Sequence, residues 1–529
     1  MPHAFDPEHL RPVSLRAVAD AVGGVPVGAT AVGGAFVAGI GPASDVLVTG
    51  MTVSTGDARA GTLFAALPGR HQHGADHAEA ARRAGAVAVL TDAAGESSAV
   101  ASGLPVVVVP DVRTVLGAAA RAVYGTGDLG VPMLGVTGTN GKTSTVYVLD
   151  ALMRRLGWPT ALTSTAERRV RDDAVAARLT TPEAPELHAF LARAAEQGVL
   201  GIAVEASAQG LSRHRLDGVR FDVAGFTNLS HDHLDDYADM DTYLRAKAAL
   251  FTPEHARRGV VSVDSAAGRT IVRDAGVPVE TITSLPEQDA TWRVAVLDQR
   301  LDGTRFRLTG PDGTDIVTEV PLLGRHMAAD TGLAMAMLIR AGVGPERLRA
   351  AVGDRLEVVV PGRMSDASAP TGPRVFVDFA HTPDAFAKSL EAVRAVAPAR
   401  VAIVLGADGD RDPTKRHGMG VVAATAADVV VVADHHPRFE DPAPIRAAIL
   451  AGARSAGSEA LIVEEPDPAT AIRTALAAIG DDGVVYWAGP GLTDYRDVRG
   501  EHVPYSSFED ARMALAEAGH PAEDTVPCG

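Results

Sequence analysis

The sequence predicts a soluble α/β protein made of several parallel-sheet domains. Three observations carry this reading. The chain has 529 residues, and at roughly 150 residues per domain that length gives three or four domains. Its longest apolar runs, such as 104–110 and 429–433, are short enough to be buried strands of a parallel sheet. These runs alternate with helical patterns, which a doubly wound sheet requires.

Composition supports the same class. Hydrophobic residues make up 46% and charged residues 22%, the balance of a globular protein rather than a disordered or fibrous one. Acidic residues outnumber basic ones 66 to 49, a formal net charge of −17. Such a chain is a poor non-specific ligand for nucleic acid, so no nucleic-acid partner is expected. The single cysteine, Cys528, cannot form an internal disulfide or a structural Cys–zinc site. Residues 1–13 show no secretory signal, and no apolar run is long enough to span a bilayer. A cytoplasmic enzyme without membrane insertion is the expectation.

The elements follow in order. Residues 62–67 read as a strand, 77–85 as an Ala-rich helix, and 86–91 and 106–109 as strands. Residues 124–132 form a turn-rich link with three glycines and a proline, marking a boundary. The second region opens with an apolar strand at 133–136, a Gly-rich loop and a helix at 143–156. Strands at 201–204, 223–227 and 259–263 follow, with a helix at 240–251. Residues 292–320 alternate nearer to period two and hold the turn pairs Asp302-Gly303 and Asp312-Gly313, so they read as an antiparallel edge. A helix at 327–341 closes the region. Strands at 375–379, 401–405, 429–432 and 484–487 then alternate with helices at 385–396, 442–455 and 469–478. That is a second α/β domain of dinucleotide-fold type. The predicted domains are 1–130, 131–357 and 358–529.

The strongest chemical signal is the run from Gly135 to Ser144, containing Gly138-Thr139-Asn140-Gly141-Lys142-Thr143. A Gly-rich loop between a strand and a helix N-terminus presents backbone N–H groups to phosphate oxygens. Lys142 would neutralise the β- and γ-phosphates, and the Thr143 hydroxyl would hold Mg²⁺. Glu205 follows an apolar strand, where a carboxylate enters the ligand crevice of an α/β sheet and could share that cation. The polar run Asn228–Asp235 also follows a strand, and His233 in it could bind metal. Taken alone, His233 reads as a surface loop histidine and Lys247, on a helical pattern, as a solvated lysine. Asp378, after another strand, could bind a ribose. In the Gly- and charge-rich loop 406–416, Lys415 and Arg416 could meet phosphates and Arg411 a carboxylate.

Taken together and in this order, these motifs resemble the Mur ligase family, nearest to the branch that adds the third residue of the peptidoglycan stem peptide. Gly362-Arg363-Met364, Asp494-Tyr495 and the N-terminal 58–69 and 73–76 segments also fall where that family has motifs. The resemblance spans nearly the whole chain. It implies a UDP-substrate-binding domain, a central P-loop ATPase domain and a C-terminal Rossmann-like domain that binds the amino acid. It implies ATP and Mg²⁺ as cofactors, with a UDP-muramoyl dipeptide and an amino acid as substrates, on a monomer. ATP would phosphorylate the dipeptide carboxylate, and the amine would attack the acyl phosphate to give an amide. By resemblance Glu205 and His233 bind Mg²⁺, and Lys247 is carbamylated into a further ligand. Thr180, Thr181, Ser207 and Arg215 match contacts to the UDP-muramoyl substrate, and Asp378 and Lys415 match contacts to ATP.

Several positions depart from the family pattern. Ser54-Thr55-Gly56 replaces Asp-Ser-Arg at the uracil site, with Thr55 the substrate-facing position. Ser207-Ala208-Gln209 replaces Ser-Ser-His. Asp330, after His326-Met327, replaces an Asn that faces adenine. His435-His436-Pro437-Arg438 replaces the Asp-Asn-Pro-Arg that selects diaminopimelate, and the stretch from Gly489 to Thr493 replaces Gly-Lys-Gly-His-Glu. A distal ammonium on the amino acid would thus lose anionic partners, while Arg411 and Arg438 would still serve a carboxylate. The expected amino acid is therefore not ordinary diaminopimelate, or it is bound by altered contacts. A diverged amide ligase of specialised metabolism and a non-catalytic nucleotide-binding regulator are the alternative readings.

Overall fold

The computed structural model describes residues 5–23, 25–26, 46–69, 71–397 and 399–521. Cys528 and the first residues of the chain lie outside them. Three large sheets, of five, eleven and six strands, organise these residues, with apolar clusters packed on each.

The N-terminal sheet runs Thr62–Ala65, Ala86–Thr91 and Val106–Val108 in parallel, with Gly50–Thr52 at one edge. Helix Val112–Tyr124 packs its Leu116, Ala120 and Val123 face into the core of this unit. Asp111 caps that helix and Gly125 ends it in the left-handed conformation.

The central sheet has eleven strands. Its first strand, Met133–Thr137, lies between Gly201–Glu205 on one side and Val223–Phe226 on the other, all parallel. The chain therefore winds away in both directions from this strand. A switch point of this kind opens a crevice at the carboxyl ends of the strands. Register aligns Glu205 with Val136 and Phe226 with Thr137, so the Gly-rich loop, Glu205 and the 228–235 run share that edge. The 292–320 stretch forms the antiparallel far edge, as its alternation predicts: Trp292–Arg300, Gly303–Thr309 and Asp315–Val320. Elements without a sequence expectation include the hairpin Glu167–Val170 and Asp173–Ala176 at the opposite edge, and helix Ala184–Glu196, whose residues are mostly buried.

The third sheet places Val484–Ala488 between Arg374–Asp378 and Val401–Leu405, followed by Val429–Val432 and Leu461–Glu464, all parallel. Asp378, Leu405 and Ala488 align in register. Their carboxyl ends face the switch point of the central sheet across a cleft. The inner strands Val401–Leu405, Val429–Val432 and Val484–Ala488 are apolar and buried throughout, as strands with both faces covered require.

Candidate active site

The cleft between the central and C-terminal sheets has a volume of about 500 Å³. One wall is the phosphate-type loop. Gly141 has φ +87°, which favours glycine, and a Cβ there would lie 2.4 Å from an Asp330 carboxyl oxygen. Helix Lys142–Arg155 begins directly after it. Its N-terminal N–H groups thus open on the cleft, the arrangement that binds anions.

Lys142 turns its ammonium onto the Thr139 and Gly138 carbonyls at 2.9 and 3.1 Å. It lies 3.9 Å from Glu205. Burial lowers its pKa, against the opposing pull of Glu205. Glu205 is 1% exposed. It accepts from the Thr143 hydroxyl at 3.2 Å and from the Thr165 backbone N–H at 2.8 Å. Arg363 crosses from the C-terminal unit and donates to the same Thr143 hydroxyl at 3.1 Å. The Thr143–Glu205 pair is an all-oxygen donor set, the chemistry a hard divalent cation prefers.

Lys247 lies behind this loop rather than on the cleft. It is 1% exposed, donates to the Gly138 carbonyl at 2.7 Å and stands 4.1 Å over the Tyr243 ring. Burial, and then the neighbouring Lys142 charge, push its pKa well below the usual lysine value. His233 lines the cleft with φ +57°. Burial lowers it to about 4, so it is neutral and keeps a lone pair at neutral pH.

The opposite wall comes from the C-terminal unit. Lys415 donates to Asp232 at 3.0 Å, and both side chains are buried. Burial opposes ionisation of Asp232, but His381 and Lys415 overcome it and hold the carboxyl far below its ordinary range. Asn140 on the loop also donates across the cleft, to Asp384 at 3.0 Å. Asp378 is already engaged, accepting from the Tyr486 hydroxyl at 2.8 Å and from the Phe379 N–H at 2.7 Å.

At the far end, His435 Nδ1 is 2.7 Å from one Asp408 oxygen and Arg438 lies 3.3 Å from the other. The sequence reading left Arg438 free and this end without an anion; the structure instead supplies Asp408 as the anion and pairs Arg438 to it. His435 Nε2 is buried without a partner. Asp408, His435 and His436 lie close enough to suggest a metal cluster, but the hydrogen bonds argue otherwise. His436 Nδ1 accepts from the Asp497 N–H at 2.9 Å, and burial lowers its pKa to about 4. Its Nε2 therefore carries the proton and has no lone pair for a metal. Arg411 lines the cleft and is exposed, with no carboxylate in ion-pair range among the described residues.

Thr180, Ser207, Arg215, Gly489 and Thr493 also line the cleft, as do Thr139, Asn140, Ser144, His435 and His436. Thr181 sits just behind it, donating to the Glu205 carbonyl at 2.7 Å and contacting the Ser207 hydroxyl at 3.0 Å. Gly138 is buried beneath the loop, with its carbonyl taken by Lys142 and Lys247. Thr55 stands apart, in a short turn, Thr55–Asp57, of the N-terminal unit. Asp232, Arg363, Thr165 and Asp408 also join the site, without a role expected from the sequence. Asp232 was the most accessible of these, lying between two histidines at a strand end.

The matches to known families follow this geometry. Residues 136–338 match the Mur ligase middle domain, 362–491 the Mur ligase glutamate ligase domain and 47–124 the Mur ligase family catalytic domain. The chain is 51% identical to a UDP-N-acetylmuramyl-tripeptide synthetase of Leifsonia xyli, over 90% of this chain and 93% of that one. It is 40% identical to a UDP-N-acetylmuramoyl-L-alanyl-D-glutamate–2,6-diaminopimelate ligase of Streptomyces avermitilis, over 90% and 93%. A solved structure of a ligase of the latter name superposes with a TM-score of 0.63 at 27% identity, over 91% of this chain and 97% of that one. Fold and cleft together define an ATP-dependent ligase of three α/β domains. The chain belongs to the Mur ligase family.

Proposed function

We propose that this enzyme joins an amino acid to UDP-N-acetylmuramoyl-L-alanyl-D-glutamate in peptidoglycan synthesis, through an acyl phosphate. One observation carries the reading. The phosphate loop with Lys142, Thr143 and Glu205 faces the Asp408–His435–Arg438 wall across a single cleft. The family relatives named above act on the same class of substrate by their names.

Phosphorylating a carboxylate brings two anions together, and the residues here meet that need. Lys142 leaves the loop carbonyls for the β- and γ-phosphates, and the helix N-terminus adds its N–H groups. Thr143, Glu205 and His233 would hold Mg²⁺, which when bound neutralises the γ-phosphate and the carboxylate oxygen. Lys247 is a buried amine with a depressed pKa, so a neutral fraction is available to attack CO₂. The N–C bond forms, one proton leaves and a carbamate results, ready to serve as an additional oxygen ligand. Thr180, Ser207 and Arg215 face the acyl substrate, with Thr181 positioning Ser207 from behind. Thr55 would act at the uridine end. Asp378 would reach the nucleotide ribose only by releasing one of its present donors. Gly489 and Thr493 close the amino-acid end.

The amino-acid pocket suits an α-carboxylate on Arg411 and a side chain that donates hydrogen bonds. Asp408 is the acceptor for such a group. The need for ATP supports a cytoplasmic reaction. A ligation assay with UDP-muramoyl dipeptide across amino acids tests this. Phosphate release that needs both substrates supports it. Release with other acyl acceptors, and none with this one, would instead favour a specialised-metabolite ligase.

A further inference from the structure

Arg215 reaches the main cleft from the stretch between strands Gly201–Glu205 and Val223–Phe226. Its side chain is buried on every side but that one. Nε donates to Glu183 at 3.0 Å, and Nη1 donates to the Thr181 carbonyl at 3.3 Å. A guanidinium is a rigid planar fork, so fixing one edge aims the other. Here the aimed edge is Nη2, which is left for the cleft.

Glu183 is the N-cap of helix Ala184–Glu196, yet its side chain makes no capping bond to that helix. Its carboxylate lies between two cations instead. One oxygen accepts from Arg215 and the other from Nη1 of Arg113. Two guanidiniums share one carboxylate, so the group keeps a net positive charge. The neighbouring Arg213 adds none that is unmatched, since it pairs with Asp236 at 3.0 Å. Arg113 belongs to the N-terminal unit. It stands in the first turn of helix Val112–Tyr124, where the helix dipole disfavours a cation. One turn on, along the same face, Gly117 packs against the Asp217 carbonyl, and a Cβ there would lie 2.1 Å from that oxygen. The N-terminal helix therefore bears on both segments that hold the pair, at Glu183 and just after Arg215. Ala184, Ala189 and Ala192 continue the contact by joining the apolar cluster of Leu116 and Ala120.

We propose that Glu183 is a positioning residue that aims Arg215 at an anionic group of the acyl substrate, and that Arg113 makes this aim depend on the docked N-terminal unit. The inference rests on the acyl substrate proposed above. The group recognised is a phosphate or carboxylate oxygen, the natural partner of a guanidinium edge. Neither Glu183 nor Arg113 lines the cleft, so each acts on the substrate only through Arg215. The same brace reaches the catalytic end. Thr181, whose carbonyl holds Arg215, also donates to the Glu205 carbonyl at 2.7 Å.

The test is calorimetric binding of UDP-N-acetylmuramoyl-L-alanyl-D-glutamate to the full chain, with steady-state kinetics beside it. Glu183→Gln and Arg113→Gln are expected to weaken binding, and to raise KM for this substrate, about tenfold, the scale of one charge-assisted hydrogen bond. KM for ATP should stay within about twofold. Arg113→Lys keeps a cation beside Glu183 and should recover most of the loss. In an Arg215→Gln background, Arg113→Gln should change binding by no more than about twofold, because the group it steers is gone. An undiminished effect in that background would overturn the proposal and leave Arg113 a structural brace. Equal rises in KM for ATP, or wild-type affinity in both single variants, would overturn it too. UDP identifies the anion: a loss shared by UDP supports a phosphate at Arg215, and a loss confined to the dipeptide-bearing ligand supports a carboxylate. Wild-type protein that binds none of the dipeptide substrate would overturn the function proposed above, and this inference with it.

Discussion

Lys415, in the first turn of helix Lys415–Ala426, donates at 3.0 Å to Asp232 at the carboxyl edge of the central sheet, joining two units through one buried ion pair. Removing either partner leaves the other charge in a site built for both. Lys415→Met or Asp232→Asn is therefore expected to cost about 3–5 kcal/mol. Thermal unfolding measures it. The double variant should cost less than the two singles summed, with a coupling of about 1–3 kcal/mol. Additive costs would show that the pair does not couple the units.

Lys247 is expected to be carbamylated. Its buried, uncharged fraction reacts with CO₂, and arginine at that site cannot. With ¹³C-bicarbonate, the wild type should give a carbamate carbon signal that Lys247→Arg lacks. Lys247→Ala should lose activity by about a hundredfold or more, the scale of one missing electrostatic group. Partial recovery with added acetate is expected, since a small carboxylate can occupy the vacated space. No carbamate signal in active wild-type enzyme would remove the carbamate from the mechanism.

Much of the scaffold was legible in the chain. Strands Val401–Leu405 and Val429–Val432 and helix Pro442–Ser455 fall on their predicted bounds, because Gly406 and Asp428 interrupt the apolar runs and Asp441-Pro442 starts the helix. Helix Ala184–Glu196 carries only a thin polar stripe, Glu186, Arg193 and Glu196, and most of its other residues are buried. The hairpin at Glu167–Val170 turns through Arg171-Asp172, without the Asn-Gly or Asp-Gly signal of tight hairpins. The phosphate loop was readable because its chemistry is contiguous. Asp232 with Lys415, and Asp408 with His435, were not, since each pair joins residues 27 or more apart. Only the fold shows that Arg438 is already matched to an anion.

Asp408 is expected to set affinity for the amino acid without affecting ATP. It holds His435 and Arg438 in place and offers its remaining lone pairs to the cleft. Asp408→Asn should raise KM for the amino acid about tenfold or more, the value of one charge-assisted hydrogen bond. KM for ATP should stay within about twofold, because the phosphate loop is on the opposite wall. Steady-state kinetics with each substrate varied in turn separates the two. Equal increases in both constants would place Asp408 in a structural role.

His188 makes the fold sensitive to mild acid. It is fully buried in helix Ala184–Glu196, with Nδ1 toward the Thr126 hydroxyl and Nε2 3.3 Å from the Asp217 carbonyl. Burial lowers its pKa from 6.5 to about 4, with the Asp217 carbonyl opposing weakly. The unfolded chain therefore binds one more proton than the folded one between those values. Stability is complete above pH 6.5 and falls as pH drops toward 4, by about 1.4 kcal/mol per pH unit from this group. Below the folded value both states are protonated and the loss levels off. His188→Gln keeps a hydrogen-bonding side chain that does not titrate in this range. It should be less stable at neutral pH but should lose less stability on acidification, as urea unfolding across that window would show. Parallel slopes for the two proteins would assign the acid sensitivity to other groups.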